Sequence, residues 1–140
     1  MTLVIARTSD LRTCLDIRYT VFVDEQNVPI EEERDHYDET AIHLLAVDDG
    51  KPVGTARIVQ LNDVGKIGRV AVLAEQRGTG LGRKIIEACL YEMRGRSDIK
   101  IAKLGSQTHA LGFYEKLGFV AEGPEFDDAG IPHRMMSRPV

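Results

Sequence analysis

The stretch Val70-Ala71-Val72-Leu73-Ala74-Glu75-Gln76-Arg77-Gly78-Thr79-Gly80-Leu81-Gly82-Arg83-Lys84 reads as a strand, a glycine-rich turn and the opening of a helix. Gly78, Gly80 and Gly82 alternate, so the backbone can adopt positive φ and approach a ligand closely. The N–H groups of a first helical turn have no partner inside the helix. Together with the helix dipole they form an anion site. Arg77, Arg83 and Lys84 add cations where a pyrophosphate would lie. Spacing separates the phosphate-binding motifs that could be claimed. A P-loop, G-x-x-x-x-G-K-[ST], read from Gly78 meets Arg83 where its second glycine belongs and Ile85 where Ser or Thr belongs. A dinucleotide fingerprint, G-x-G-x-x-G, meets Arg83 or Ile85 at its last position. The pattern R-x-x-G-x-G is met by Arg77, Gly80 and Gly82.

Outward from this turn, the chain divides into short elements. Leu3 to Ile5 is a β-type run. Ser9 or Thr8 can cap a helix with Asp10 in its first turn. Leu11, Cys14, Leu15, Arg18 and Phe22 repeat at helical spacing, and the helix is expected to fade near Val23. From Asp24 to Thr40 the chain is polar and aperiodic, and Glu31-Glu32-Glu33-Arg34-Asp35 reads as a solvated face. Ile42–Val47, Val53–Leu61 and Val64–Leu73 read as an antiparallel meander, with Asp48-Asp49-Gly50 and Asn62-Asp63 as turns. Leu81, Ile85, Ile86, Cys89, Leu90 and Met93 give the helix over 80–94 one apolar face, ended by Gly95. A strand over 99–104, a helix over 108–116 and closing strands over 119–126 and 131–136 follow. The order predicts an α+β fold around a mixed, mostly antiparallel sheet of six to seven strands flanked by helices.

At 140 residues the chain fits a single domain over 1–140. Its 18 basic and 22 acidic residues give a net charge of −4, so nothing global points to nucleic acid or an anionic membrane. Cys14 and Cys89 form no CxxC pair and read as buried thiols of a reducing compartment. The N-terminal apolar run is too short for a signal peptide, and no apolar run reaches the roughly 20 residues of a membrane helix. A cytoplasmic location is the expectation. His36, His43, His109 and His133 lack paired metal-ligand spacing, so no metal is expected.

Val70-Ala71-Val72 with Glu75-Gln76-Arg77-Gly78-Thr79-Gly80-Leu81-Gly82 resembles the acetyl-CoA signature of the GNAT superfamily of N-acetyltransferases. Downstream, Ala110-Leu111-Gly112-Phe113-Tyr114-Glu115-Lys116-Leu117-Gly118-Phe119 resembles that family's A-x-x-F-Y-x-K-x-G-F segment. Within the family, Val23-Asp24-Glu25-Gln26-Asn27-Val28-Pro29 and Ala129-Gly130-Ile131-Pro132-His133 resemble a small bacterial ElaA-like or YjcF-like subgroup. The superfamily often carries Asn seven positions before the motif tyrosine, where this chain has Gln107, an amide of longer reach.

The resemblance implies a three-layer GNAT fold. It also implies transfer of an acetyl group from acetyl-CoA to a primary amine by direct attack in a ternary complex. The pantetheine arm would lie between the Val70–Val72 strand and the Ile99–Leu104 strand, with the pyrophosphate on the amides of Gly78 to Gly82. Gln107, Phe113, Tyr114 and Lys116 would join Val70, Ala71, Val72 and residues 77–84 around the cofactor. The N–H of Val72 is the candidate oxyanion donor, and Tyr114 the candidate acid for the departing thiolate. Glu25, Asp38, His43, His109 and His133 are candidates for the base, and Glu25, Gln26, His43 and His133 for acceptor contact. The acceptor is expected to be a small-molecule amine, drawn by the acidic stretch over 31–38 unless that stretch is only a solvated face. Two alternatives keep the fold: a non-catalytic acyl-CoA sensor or partner-binding module, and an enzyme for a larger acyl group. Strand edges near the C-terminus could pair two copies into a homodimer.

Overall fold

A computed structural model describes residues 2–140, arranged on one seven-stranded sheet in the order β1-β2-β3-β4-β5-β7-β6. The strands are β1 Leu3–Thr8, β2 Ile42–Asp48, β3 Lys51–Leu61, β4 Val64–Val72, β5 Ile101–Gln107, β6 Val120–Asp128 and β7 Ile131–Pro139. Helix α1 is Leu11–Arg18, α2 is Ile30–Glu33, α3 is Leu81–Arg94 and α4 is Leu111–Glu115. All neighbours pair antiparallel except β4 and β5, which run parallel. The α+β architecture and the strand count agree with the sequence expectation. Among the described residues no helix is long and apolar enough to cross a membrane.

The β2–β3 hairpin turns at Asp49 (φ 49°) and Gly50 (φ 82°), two successive left-handed residues of the kind that match the twist of paired strands. Helix α3 buries Leu81, Ile85, Ile86, Cys89, Leu90 and Met93, the face expected from its periodicity. That face joins Leu44, Ile58 and Ile67 of the sheet, with Phe119 and Met136, in one core. Close approach of α3 to the sheet depends on Gly65. A Cβ there would overlap the Met93 sulfur and stand 3.2 Å from Ile99 Cγ2 and 3.3 Å from Ile58 Cγ2.

Several boundaries differ from the sequence reading. Asp10, not Ser9 or Thr8, is the N-cap of α1: its carboxylate accepts from the Thr13 N–H at 3.2 Å and from the Thr13 hydroxyl at 2.7 Å. Its two carboxylate oxygens serve the two donors, one each. The α-helix stops at Arg18 and the chain continues as a π-helix over Tyr19–Glu25, with Val21 as its buried residue. The segment read as irregular holds α2 and a 3₁₀ turn at His36–Glu39. The helix expected over 108–116 divides into a 3₁₀ turn at Thr108–Ala110 and α4.

The packing at Gly65 yields a direct expectation. Gly65→Ala should lower the free energy of unfolding by about 1–3 kcal/mol through overpacking against Met93, Ile99 and Ile58. Urea denaturation followed by circular dichroism measures it, and an unchanged midpoint would mean that α3 can shift away freely.

Candidate active site

The site begins where the sheet fails to close. β4 and β5 pair only at Val64–Ile101, Gly65–Ala102 and Lys66–Lys103. Beyond Lys66, β4 pairs with β3 alone, and beyond Lys103, β5 pairs with β7 alone. Arg57 opposes Gly68 and Thr55 opposes Ala71, so β4 carries a bulge, with Arg69 at φ 52°. Past the bulge, the Leu73 N–H donates to the Val53 carbonyl of β3. Strand alternation therefore turns the backbone groups of Val72 and Val70 to the opposite, open side. The Arg77 guanidinium reaches the Val72 carbonyl from that side, at 3.1 Å from Nε and 3.0 Å from Nη2.

Between the diverging strands lies a cavity of about 510 Å³. β4 contributes Gly68, Arg69 and Val70, and β5 contributes Ser106 and Gln107. The remaining walls come from Tyr114, from the 22–33 segment through Phe22, Gln26 and Glu33, and from the β6–β7 hairpin through Phe126, Asp128 and His133. Of the residues singled out from sequence, Val70, Gln26, Gln107, Tyr114 and His133 meet around this space. Glu25, His43, Phe113 and Lys116 do not line it.

At one end of the open strand sits the glycine turn. Gly78 (φ 80°) and Gly80 (φ 85°) hold left-handed backbone, and Gly80 is the residue from which α3 starts, with no side chain capping the helix. A Cβ at Gly82 would meet nothing within 4 Å, so packing does not demand a glycine there and the space before the helix is open to an approaching group. Arg83 and Lys84 are exposed beside it. Arg77 is placed otherwise than its expected role as a phosphate cation suggests. Besides the Val72 carbonyl it pairs with the Glu25 carboxylate, and so ties the turn back to β4 and to the end of the π-helix.

Tyr114 stands edge-on between Phe113, at 4.9 Å between ring centroids, and Phe119, at 6.1 Å. Burial raises its phenol pKa above the ordinary value, and among the described residues its hydroxyl has no hydrogen-bond partner. His133 stacks on Phe126 with centroids 5.8 Å apart. Its Nδ1–H donates to the Ile131 carbonyl at 2.7 Å, which leaves Nε2 as the lone-pair nitrogen.

The acidic stretch is not a solvated face. Arg18 from α1, Arg57 from β3 and Arg69 from β4 meet Glu33, Asp35 and Asp38 in an alternating network of ion pairs from 2.7 to 3.3 Å. Arg18 is only 1% exposed, Glu33 3% and Asp38 7%. Only Glu31 and Glu32 of the run are exposed, together with Arg34. Burial alone would raise the Asp38 pKa, but the hydrogen bonds and charge of Arg18, joined by Arg57, hold its carboxyl far below the usual carboxylate range. Asp38 is therefore too weakly basic to take a proton near neutral pH. His43 is 7% exposed, and its Nε2–H donates to the Asp38 carbonyl at 2.8 Å, so it supports this network instead of facing the acceptor. His109 is exposed on the 3₁₀ turn. Glu33 and Arg69, which sequence reasoning missed, stand in the cavity wall. Their signal was Arg18 itself, a cation on an otherwise apolar helical face that needs buried carboxylates as partners.

Because the folded-state pKa of Asp38 is depressed, its contribution to stability is complete above the unfolded value near 4 and is lost as pH falls below it. Urea midpoints measured from pH 7 to pH 3 should drop below about pH 4 in the parent. Asp38→Asn should cost about 3–5 kcal/mol at pH 7 and show a shallower acid limb. Parallel limbs in the two proteins would remove Asp38 as the source of acid lability.

Comparison with known proteins gives a consistent picture. The chain matches the acetyltransferase (GNAT) domain over residues 11–139. It is similar to Bacillus subtilis YjcF, described as an uncharacterized N-acetyltransferase, at 39% identity over 140 residues and 99% of each chain. The crystal structure of Escherichia coli ElaA matches with a TM-score of 0.87 and 28% identity, covering 98% of this chain and 99% of that one. An acyl-CoA N-acyltransferase from Pseudomonas aeruginosa matches with a TM-score of 0.87 and 29% identity over 98% of both chains.

Proposed function

The chain belongs to the acetyltransferase (GNAT) family, and on that premise we propose that it moves an acetyl group from acetyl-CoA to a primary amine of a small molecule, with residues 1–140 acting as one domain. The observation that carries this reading is the open backbone edge of β4 in the wall of a cavity that Tyr114 also lines, with the left-handed glycine turn at the head of α3 following β4 in the chain.

The open edge suits an amide-bearing arm, because ladder groups left unpaired inside a sheet need partners. Val70 is the open-side residue in the cavity wall, and the Val72 carbonyl is already held by Arg77, which leaves the Val72 N–H as the donor for an oxyanion. The turn at Gly78–Gly82 offers first-turn N–H groups of α3 to a pyrophosphate, with Arg83 and Lys84 beside it. Gln107 extends from the end of β5 into the same space and provides an amide for the cofactor arm.

When bound, acetyl-CoA supplies an acyl group already activated as a thioester. The acceptor ammonium gives one proton to solvent before its nitrogen can attack. A carbon–nitrogen bond then forms, the carbon–sulfur bond breaks, and the second nitrogen proton balances the one received by the sulfur. Tyr114 is the donor to that sulfur: its burial keeps the phenol protonated across neutral pH and beyond. His133, with a free Nε2 in the cavity wall, is the protein group best placed to collect the nitrogen's proton, directly or through one water.

Tyr114→Phe should lower amine-dependent thiol release by roughly 10²–10⁴-fold while leaving acetyl-CoA affinity within about twofold. The parent should keep its activity on the alkaline side up to pH values above about 10, the ordinary tyrosine value, and the variant should lack that limb. Calorimetric binding of acetyl-CoA and a thiol-release assay against a panel of amines measure both quantities. Tight binding with no release from any amine, unaffected by the substitution, would favour an acyl-CoA sensor; absence of binding would end the proposal.

A further inference from the structure

Glu33 ends α2, and its side chain is 2% exposed in the wall of the cavity. Its two carboxylate oxygens are in different situations. Oε2 accepts from Arg18 Nε at 2.8 Å and lies 3.2 Å from Arg69 Nε. Oε1 is buried without any hydrogen-bond partner. A buried acceptor left unpaired is costly, more so when it carries charge.

No other group of the network is placed to satisfy it. Arg18 is engaged with Glu33 and Asp38, Arg57 with Asp35 and Asp38, and Arg69 with Glu33 and Asp35. The same arginines also hold the Glu33 peptide carbonyl, at 3.0 Å each, so the residue is fixed at both ends of its side chain. Glu33 is the member of the network that both holds an unpaired oxygen and lines the cavity, so the cavity is the side from which a complement to Oε1 can come. Glu32 and Asp128 line that cavity without ion pairs among the described residues, against Lys66 as its one lining lysine or arginine outside the network. A cationic donor suits a carboxylate oxygen better than a hydroxyl or an amide does, since charge-assisted hydrogen bonds are about twice as strong as neutral ones.

We propose that Glu33 Oε1 receives the nitrogen of the acceptor, which makes Glu33 a specificity-determining residue and the acceptor class a cationic primary amine. This rests on the amine-acetylation reading given above. The contact selects the charged form at docking, because a neutral arylamine cannot give the carboxylate a charge-assisted hydrogen bond.

Glu33→Gln preserves size and an acceptor oxygen for Arg18 while removing the charge. Benzylamine, an ammonium at neutral pH, and aniline, neutral there, separate a charge effect from structural damage. In the variant, kcat/KM for benzylamine should fall about tenfold or more, while aniline and the acetyl-CoA Kd change by less than about twofold. Equal losses on both amines, or no loss on either, would overturn the assignment. Glu33→Asp, which keeps the charge but withdraws it by one methylene, is measured alongside and should show the same selective loss even where the Gln variant folds poorly. Calorimetry of benzylammonium and of protonated 1,4-diaminobutane on the CoA-loaded protein reads the contact without any acetyl transfer. Binding by the parent that weakens about tenfold in the variant, with no transfer, would retain Glu33 and sink the transferase reading. Transfer with unchanged selectivity would do the reverse. A parent that neither binds these cations nor acetylates any amine would overturn the inference.

Discussion

Three guanidinium groups facing three carboxylates hold one wall of the cavity in place. Arg18, Arg57 and Arg69 come from a helix and two strands, whereas Glu33, Asp35 and Asp38 come from one short segment. Burying any one of these ions alone would cost several kcal/mol, so the segment can lie against the sheet only with its pairs complete. The carboxylates also shape the segment's own backbone. Asp35 accepts from the Tyr37 N–H and Asp38 accepts from the Asp35 N–H, a reciprocal cap that starts the 3₁₀ turn. The left-handed backbone of Arg69 at the β4 bulge sits in the same web, where its guanidinium is anchored to Glu33 and Asp35. The bulge that opens the strand edge and the network that forms the cavity wall are therefore one structural unit.

Features governed by near neighbours in the chain were readable from the sequence. The glycine turn works through its own backbone, so Gly78, Gly80 and Gly82 announce it with no tertiary information. The apolar face of α3 and the meander of β2, β3 and β4 follow from local periodicity and from turn residues such as Asp49 and Gly50. The order β5-β7-β6 does not, because it depends on which distant edges find each other. The π-helix over Tyr19–Glu25 is not legible, because apolar spacing reports which face is buried and not whether a turn closes on the fourth or the fifth residue back. The acidic run was misread because charge in sequence usually means solvent. Only the partners of Glu33, Asp35 and Asp38, 15 to 36 positions away, reveal that these carboxylates are paired against the sheet while Glu31 and Glu32 stay exposed. The cavity draws on segments near 22–33, 66–70, 104–114 and 126–135, and no local pattern encodes their meeting.

Arg77 shows how one residue can satisfy a motif and yet act differently from its motif reading. Its spacing to Gly80 and Gly82 marks the turn, but its side chain faces inward to a strand carbonyl and to Glu25. It thereby sets the distance between the turn and the end of β4. The exposed cations Arg83 and Lys84 remain on the side where the turn is open. The aromatic edges of Phe113 and Phe119 fix Tyr114 in a comparable way, so its hydroxyl position is set by packing instead of by a hydrogen bond.

The short suture between β4 and β5 has a mechanical consequence. Four strands on one side and three on the other are joined across the sheet by three consecutive residue pairs at one end. Such a seam behaves as a flexure: a small rotation about the paired end is magnified at the free end, where the two strands face the cleft. A ligand whose amides bridge the free edges would act as a splint across the seam. Its grip on both halves would make the sheet mechanically continuous only while the cleft is filled.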